Sequence, residues 1–328
     1  LNIHDITTPA LLADADALEF NLATMAAALP GPRLRPHVKA HKCTVLAAQQ
    51  AAAGHKAFTC ATIREVEGMA AAGFGEDLLL ANEVVDTRRL GALDARVTVA
   101  VDSEATIVAA VKGGIKEVLI DVNVGQNRCG CAVDQAGRLA DLARGKGLQI
   151  RGVMGYEGHI VGLESRPTRQ QLIAESMALL MLAHKDVGGD VISAGGTGTY
   201  DINTWASEIQ AGSYVLMDTA YATLGLPFRQ GLSVLATIIS VSPGYAVANS
   251  GLKALGMDHG KPSIEGGHQV RSVSDEHLTF IPSSPVRVGD RIKVLPAHID
   301  PTIAYHERMY LVRGEQILET WPIDLRGW

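Results

Sequence analysis

At 328 residues, with 47% apolar and 20% charged side chains, the chain can bury a sizeable core and has room for two domains. A net charge of −6 offers no basic face for nucleic acid. No apolar run approaches the roughly 20 residues of a membrane span, and Leu1-Asn2-Ile3-His4-Asp5 lacks the basic-then-apolar pattern of a secretion signal.

The four cysteines, Cys43, Cys60, Cys129 and Cys131, are too few for a disulfide scaffold and lack zinc-finger spacing. They read as structural thiols of a cytoplasmic protein.

In chain order, residues 9–13 predict a strand and residues 16–29 a helix. From residue 34 to about 217, short apolar runs then alternate with alanine-rich helical stretches. The runs cover residues 34–39, 57–60, 78–81, 97–101, 117–123, 150–156, 191–194 and 209–216, and the helices include 44–53, 63–72, 132–144 and 169–184. Continuous apolar runs separated by helices imply buried parallel strands, and eight of them imply an α/β fold, a TIM-like (β/α)8 barrel. After about residue 230 helical periodicity fades. Strands are expected at 234–241, 245–249, 291–295, 309–313 and 316–321, with a turn at Arg313-Gly314-Glu315 and a loop over 260–274. The expected domains are a barrel at 15–230 and a smaller all-β domain at 231–328 plus 1–14. The 9–13 strand, with no slot in a closed barrel, is expected to join the β domain.

The chemistry falls at the expected strand ends, where barrel enzymes carry their active sites. Lys39 closes the first run inside Arg35-Pro36-His37-Val38-Lys39-Ala40-His41-Lys42. Neighbouring cations and partial burial both favour a neutral amine, which can form a Schiff base. The glycine-rich Gly195-Gly196-Thr197-Gly198-Thr199 follows the seventh run and Gly212-Ser213-Tyr214 the eighth, which is where barrels hold phosphate. A helix beginning near Asp201 would add its N-terminal amides. A phosphorylated carbonyl cofactor fits both demands, and pyridoxal phosphate is one. In the β domain, Pro296-Ala297-His298-Ile299-Asp300-Pro301-Thr302 puts a histidine and a carboxylate on one side of an extended segment, a donor pair for Mn²⁺ or Mg²⁺.

These four motifs together resemble the D-threonine aldolase and D-serine dehydratase group of alanine-racemase-like, fold-type III pyridoxal-phosphate enzymes, from Thr8-Pro9-Ala10 to Leu325-Arg326-Gly327-Trp328. The resemblance implies that Lys39 is the Schiff-base lysine, with Arg128 near the cofactor's phenolic oxygen and Tyr156 near its pyridine nitrogen. It implies that Gly196, Thr197, Gly212, Ser213 and Tyr214 hold the phosphate and that His298 and Asp300 hold the metal. It also implies a homodimer with shared active sites. The substrate expected is a small D-3-hydroxy amino acid, with neither nucleic acid nor membrane as partner. The dehydratase branch typically carries cysteine where Asp300 stands, so the aldolase branch is expected: retro-aldol cleavage of a D-threonine-type substrate to glycine and an aldehyde. His159 is a candidate base for the hydroxyl proton, and Lys42 a candidate aid to proton transfer. A D-3-hydroxyaspartate aldolase, whose second carboxylate would need a cation such as His41, Lys42 or Arg229, is the nearest alternative. A dehydratase acting on D-serine or 3-hydroxyaspartate and a non-catalytic cofactor carrier are the others.

Overall fold

The computed structural model describes residues 1–328. The chain divides into two compact units. One comprises Met25–Lys39, Leu46–Gly212 and Gly327–Trp328, the other Leu1–Thr24, Ala40–Val45 and Ser213–Arg326.

The first unit is built on seven parallel strands in consecutive order: Phe58–Cys60, Leu78–Leu80, Val97–Val101, Glu117–Asp121, Gln149–Gly155, Val191–Ala194 and Glu208–Ile209. Leu78–Leu80 and Val97–Val101 are buried along their whole length, as strands covered on both faces must be. The eighth stave differs from expectation. Residues 34–37 join the sheet only through isolated parallel bridges, Leu34 to Ile209 and His37 to Thr59. Pro36 has no N–H to give a ladder. The Arg35 and His37 amides bond to Ile209 and Ala211 on one side, and Pro36 accepts from Thr59 on the other. Those bridges close the curled sheet into a TIM-like barrel. Lys39 therefore stands in a one-turn 3-10 segment, Val38–Ala40, and not in a strand.

The last stave is likewise short: Glu208–Ile209 is strand, and Ser213–Val215 is a 3-10 turn. The crossovers include Ile63–Ala71, capped by Thr62, Glu104–Lys112, held by a Ser103 capping box, and Arg166–Val187, capped by Ser165.

A buried ion network ties the eighth stave to the others. Arg35 donates to Glu208 (2.8 Å) and Asp77 (3.0 Å), and Arg151 donates to the other oxygen of Asp77 (2.7 Å). Burial alone would raise the Asp77 carboxyl, but the two arginines overcome it and hold it well below the usual carboxylate range.

In the second unit the opening strand, Ala10–Asp14, lies parallel to Arg308–Arg313 and antiparallel to Leu232–Ser242, which is the β-domain pairing expected for it. Arg308–Arg313 and Gln316–Pro322 form the expected hairpin, with Gly314 at φ +60° in its turn. The region expected to be a loop contains strands Ser263–Ile264 and Gln269–Val273. The latter pairs with Leu278–Ile281, a strand absent from the sequence reading.

Candidate active site

Parallel pairing brings the C-terminal ends of the barrel strands to one rim, so residues far apart in sequence share it. Lys39, half-buried, follows the irregular eighth stave, residues 34–37. Arg128 is exposed on the loop after Glu117–Asp121, and its guanidinium carbon lies 5.8 Å from the centre of the Tyr156 ring. Tyr156 and His159 follow Gln149–Gly155. A Cβ added at Gly196 would lie 3.5 Å from Val161 Cγ1 and 3.6 Å from Tyr156 Cε2, so the bare face of Gly196 looks onto the tyrosine. Arg128, Tyr156 and Gly196 are thus one cluster.

Two glycines press the neighbouring loops together. At Gly125, φ +120°, a Cβ would come within 2.8 Å of His159 Nε2, and at Gly158 within 2.5 Å of Tyr156 Cε1. His159 is itself exposed at the rim.

The glycine-rich loop is organised by a residue that sequence reasoning passed over. Glu157 is fully buried. One of its oxygens accepts the Gly195 amide (3.0 Å), and the other accepts the Thr199 hydroxyl (3.1 Å) and the Asn203 amide (3.2 Å). Burial raises its carboxyl against the pull of these donors. Its signal was a lone acid just past a buried apolar run, between Tyr156 and Gly158.

The expected helix near Asp201 is absent, and residues 197–202 form turns. The Gly196 amide bonds to the Thr199 hydroxyl (3.1 Å), so Gly196 offers an open face and not a donor, while Thr197 lies buried in the loop. A turn in which a Cβ at Gly198 would fall 1.8 Å from the Val161 carbonyl leaves backbone where side chains would otherwise stand, the form a phosphate cradle needs. With a lysine amine, an arginine and a tyrosine on the same rim, the residues fit pyridoxal phosphate.

Gly212 ends the Leu46–Gly212 segment of the barrel unit, and Ser213 and Tyr214 begin a segment of the other. Tyr214 is buried, its ring 5.7 Å from that of Phe228.

On the same rim, Asp121 is buried at its strand end. Burial, then the neighbouring Glu83 and Asp102, raise its carboxyl well above the usual range. Burial likewise pushes the Cys129 thiol up to about 11 and Cys131 up to about 12, so both stay protonated at neutral pH, as the structural reading requires.

In the β unit His298 caps a helix, Ile299–Tyr305, and Asp300 lies in its first turn, where an extended segment was expected. The two side chains still meet: His298 Nε2 is 3.8 Å from Asp300 Oδ1. Imidazole plus carboxylate is a donor set suited to a hard divalent ion, so the pair fits Mn²⁺ or Mg²⁺.

Three further residues surround the pair. Asp258 Oδ2 is 2.7 Å from His298 Nδ1, and the His259 ring stacks on His298 at 3.8 Å. Asp218 accepts the Ile299 amide (3.1 Å), and burial lifts its carboxyl to about 6. Asp258 and His259 were missed because they lie 40 and 39 positions before His298 in a stretch without periodicity.

Of the cations considered for a second carboxylate, Arg229 lies 3.8 Å over the Phe20 ring, His41 accepts the Cys43 amide (3.2 Å), and Lys42 adopts φ +49°.

A barrel with a lysine at its rim and a glycine-rich loop, joined to a β unit, is the architecture of a pyridoxal-phosphate enzyme of the alanine-racemase type. Residues 13–219 match the family model for the alanine racemase N-terminal domain, and residues 231–312 that for a putative serine dehydratase domain. The chain is 33% identical to the D-threonine aldolase of an Arthrobacter species, over 98% of this chain and 93% of that one. It is 30% identical, with the same shares covered, to the 3-hydroxy-D-aspartate aldolase of Paracoccus denitrificans. Among solved structures, D-threonine aldolase from Filomicrobium marinum superposes with a TM-score of 0.93 at 33% identity, covering 99% and 97% of the two chains. D-threo-3-hydroxyaspartate dehydratase from a Delftia species superposes at 0.90 with 26% identity and both chains fully covered. A cysteine-to-alanine variant of D-threo-3-hydroxyaspartate dehydratase has been solved in a metal-free form.

The chain belongs to the D-threonine aldolase and D-serine dehydratase-like family of fold-type III pyridoxal-phosphate enzymes, and it is a lyase.

Proposed function

We propose that this enzyme cleaves D-3-hydroxy amino acids of the threonine type to glycine and an aldehyde, using pyridoxal phosphate and a divalent ion, Mn²⁺ or Mg²⁺. The observation that carries the choice of reaction is Asp300 beside His298. A soft thiolate ligand suits a zinc ion that helps hydroxide leave, the dehydratase outcome. A hard carboxylate suits a hard ion that lowers the pKa of a hydroxyl which stays on its carbon, the aldolase outcome.

Lys39 would hold the cofactor between turnovers and release it when the substrate's amine takes its place. Arg128 and Tyr156 would orient the ring, and Thr197 with the loop that Glu157 braces would hold the phosphate, together with Gly212, Ser213 and Tyr214. His159 would take the hydroxyl proton, and Gly125 leaves room for its ring. Bound pyridoxal phosphate supplies the electron sink for the carbanion left at Cα. The proposal includes a homodimer.

The test is acetaldehyde release from D-threonine, followed before and after chelation and on Mn²⁺ restoration. Metal-dependent acetaldehyde is expected with D-threonine and none with L-threonine. Metal-dependent release of a 2-oxo acid would instead put the chain on the dehydratase side. Turnover confined to D-3-hydroxyaspartate would move the substrate class.

A further inference from the structure

The β unit brings Asp258, His259 and His298 close enough for one ligand atom of each to lie within 4.8 Å of the others, which makes them a second candidate trio beside the His298–Asp300 pair. Asp258 stands on the Nδ1 side of His298 and Asp300 on its Nε2 side. An imidazole binds a metal in its ring plane, along the nitrogen lone pair. The His259 and His298 rings are stacked 3.8 Å apart and only 7° from parallel, so their lone pairs lie in near-parallel planes and do not converge. An ion in the plane of one ring would be far out of the plane of the other.

The Nδ1 side is also too tight. Asp258 Oδ2 stands 2.7 Å from His298 Nδ1, a hydrogen-bond distance. Two ligands at right angles on one ion, with bonds of about 2.1 Å, stand roughly 3 Å apart, and two opposite ligands about 4 Å apart. The 3.8 Å between His298 Nε2 and Asp300 Oδ1 falls inside that span.

We infer that Asp258 is a positioning residue. Its carboxylate takes the Nδ1–H of His298 and so presents the bare Nε2 to an ion shared with Asp300, while His259 packs on the histidine's face without binding the ion. This rests on the metal site proposed above and adds to it the outer carboxylate that metal-bound histidines commonly carry. Asp258 restricts the imidazole in two ways: it selects the tautomer, and with the stacked His259 it fixes the ring's orientation. The ion is a divalent hard cation, for which Mn²⁺ is the probe.

The experiment titrates the cofactor-loaded full chain with Mn²⁺ alone, without substrate, and reads free aqua-Mn²⁺ by electron paramagnetic resonance. Pulsed measurements of the bound ion count its histidine nitrogens. His298→Ala is the reference for loss of the site. Asp258→Asn is expected to weaken Mn²⁺ roughly 10- to 100-fold while the bound ion still shows one histidine. His259→Phe, which keeps a stacking ring without nitrogen, is expected to bind within about threefold of the parent. Nitrogen signals from two histidines, or loss in His259→Phe as deep as in His298→Ala, would make Asp258 and His259 ligands and overturn the inference. Unchanged affinity in Asp258→Asn would also overturn it. If His298→Ala binds Mn²⁺ like the parent, the metal site itself is wrong. The products formed from substrate play no part in this titration, so an error about the reaction would leave it untouched.

Discussion

Replacing Glu157 by glutamine tests whether that buried carboxylate holds the cofactor loop. All three of its partners are donors: the Gly195 amide, the Thr199 hydroxyl and the Asn203 amide. Glutamine keeps one acceptor oxygen and replaces the other with a donor. The Thr199 hydroxyl can rotate, but the Gly195 N–H cannot, and Asn203 cannot flip because its oxygen already accepts the Ala206 amide. Either orientation of the glutamine therefore sets one buried donor against another. One unsatisfied buried donor costs about 1–3 kcal/mol. If pyridoxal phosphate binds only to the ordered loop, that cost appears in its affinity as roughly a 5- to 150-fold weakening. The assay is a cofactor titration of the stripped protein, followed by the visible absorbance of the lysine-bound cofactor. The raised carboxyl of Glu157 also makes stability fall as pH rises from the ordinary carboxylate range towards the raised value, and the glutamine variant should lose that slope. Cofactor affinity equal to the parent's would refute the bracing role.

Lys39→Ala should leave a folded chain from which borohydride traps no cofactor adduct by mass spectrometry, and a trapped adduct would reassign the Schiff base. Asp77→Asn, which breaks a buried pair of arginine contacts, should cost about 3–5 kcal/mol near neutral pH. Because the Asp77 carboxyl is depressed in the fold, its contribution is present above the ordinary carboxylate range and lost as pH falls below it, so the gap in melting temperature from the parent should narrow towards pH 3. Cys129 and Cys131, with thiols raised to about 11 and about 12, should resist alkylation at pH 8, where roughly a thousandth or less is thiolate, and should react once the chain is unfolded. Gly125→Ala places a methyl where the His159 ring stands, at a φ that L-residues avoid. Turnover should fall at least tenfold while cofactor absorbance is retained.

The barrel was legible because parallel strands are buried on both faces and so write themselves as apolar runs such as Leu78–Leu80. The eighth stave misled for the converse reason. Residues 34–39 have a strand's composition, yet the proline at 36 and the turn at Val38–Ala40 reduce the pairing to two bridges. Residues 260–274 read as a loop because the stretch is polar, with Gly266 and Gly267 just ahead of an exposed strand, Gln269–Val273, that carries little apolar alternation and gains its order from pairing with Leu278–Ile281. At the candidate site, distinctive local patterns are what drew the sequence reading to Lys39 among cations, to the Gly195–Thr199 glycines and to His298-x-Asp300. Glu157 takes its donors from residues 195–203, and Asp258 and His259 meet His298 some 40 positions on, so apart from the lone acid after an apolar run little in the local sequence marks them.

The most direct test of the proposed reaction is a proton NMR record of D-threonine turnover in deuterated water with pyridoxal phosphate and Mn²⁺. Retro-aldol cleavage predicts acetaldehyde and glycine in equal amounts, with one solvent deuteron on the glycine Cα where Cβ was lost. Formation of 2-oxobutanoate and ammonia would mean that the Cα–H bond broke in place of Cα–Cβ, and would contradict the account built on Asp300.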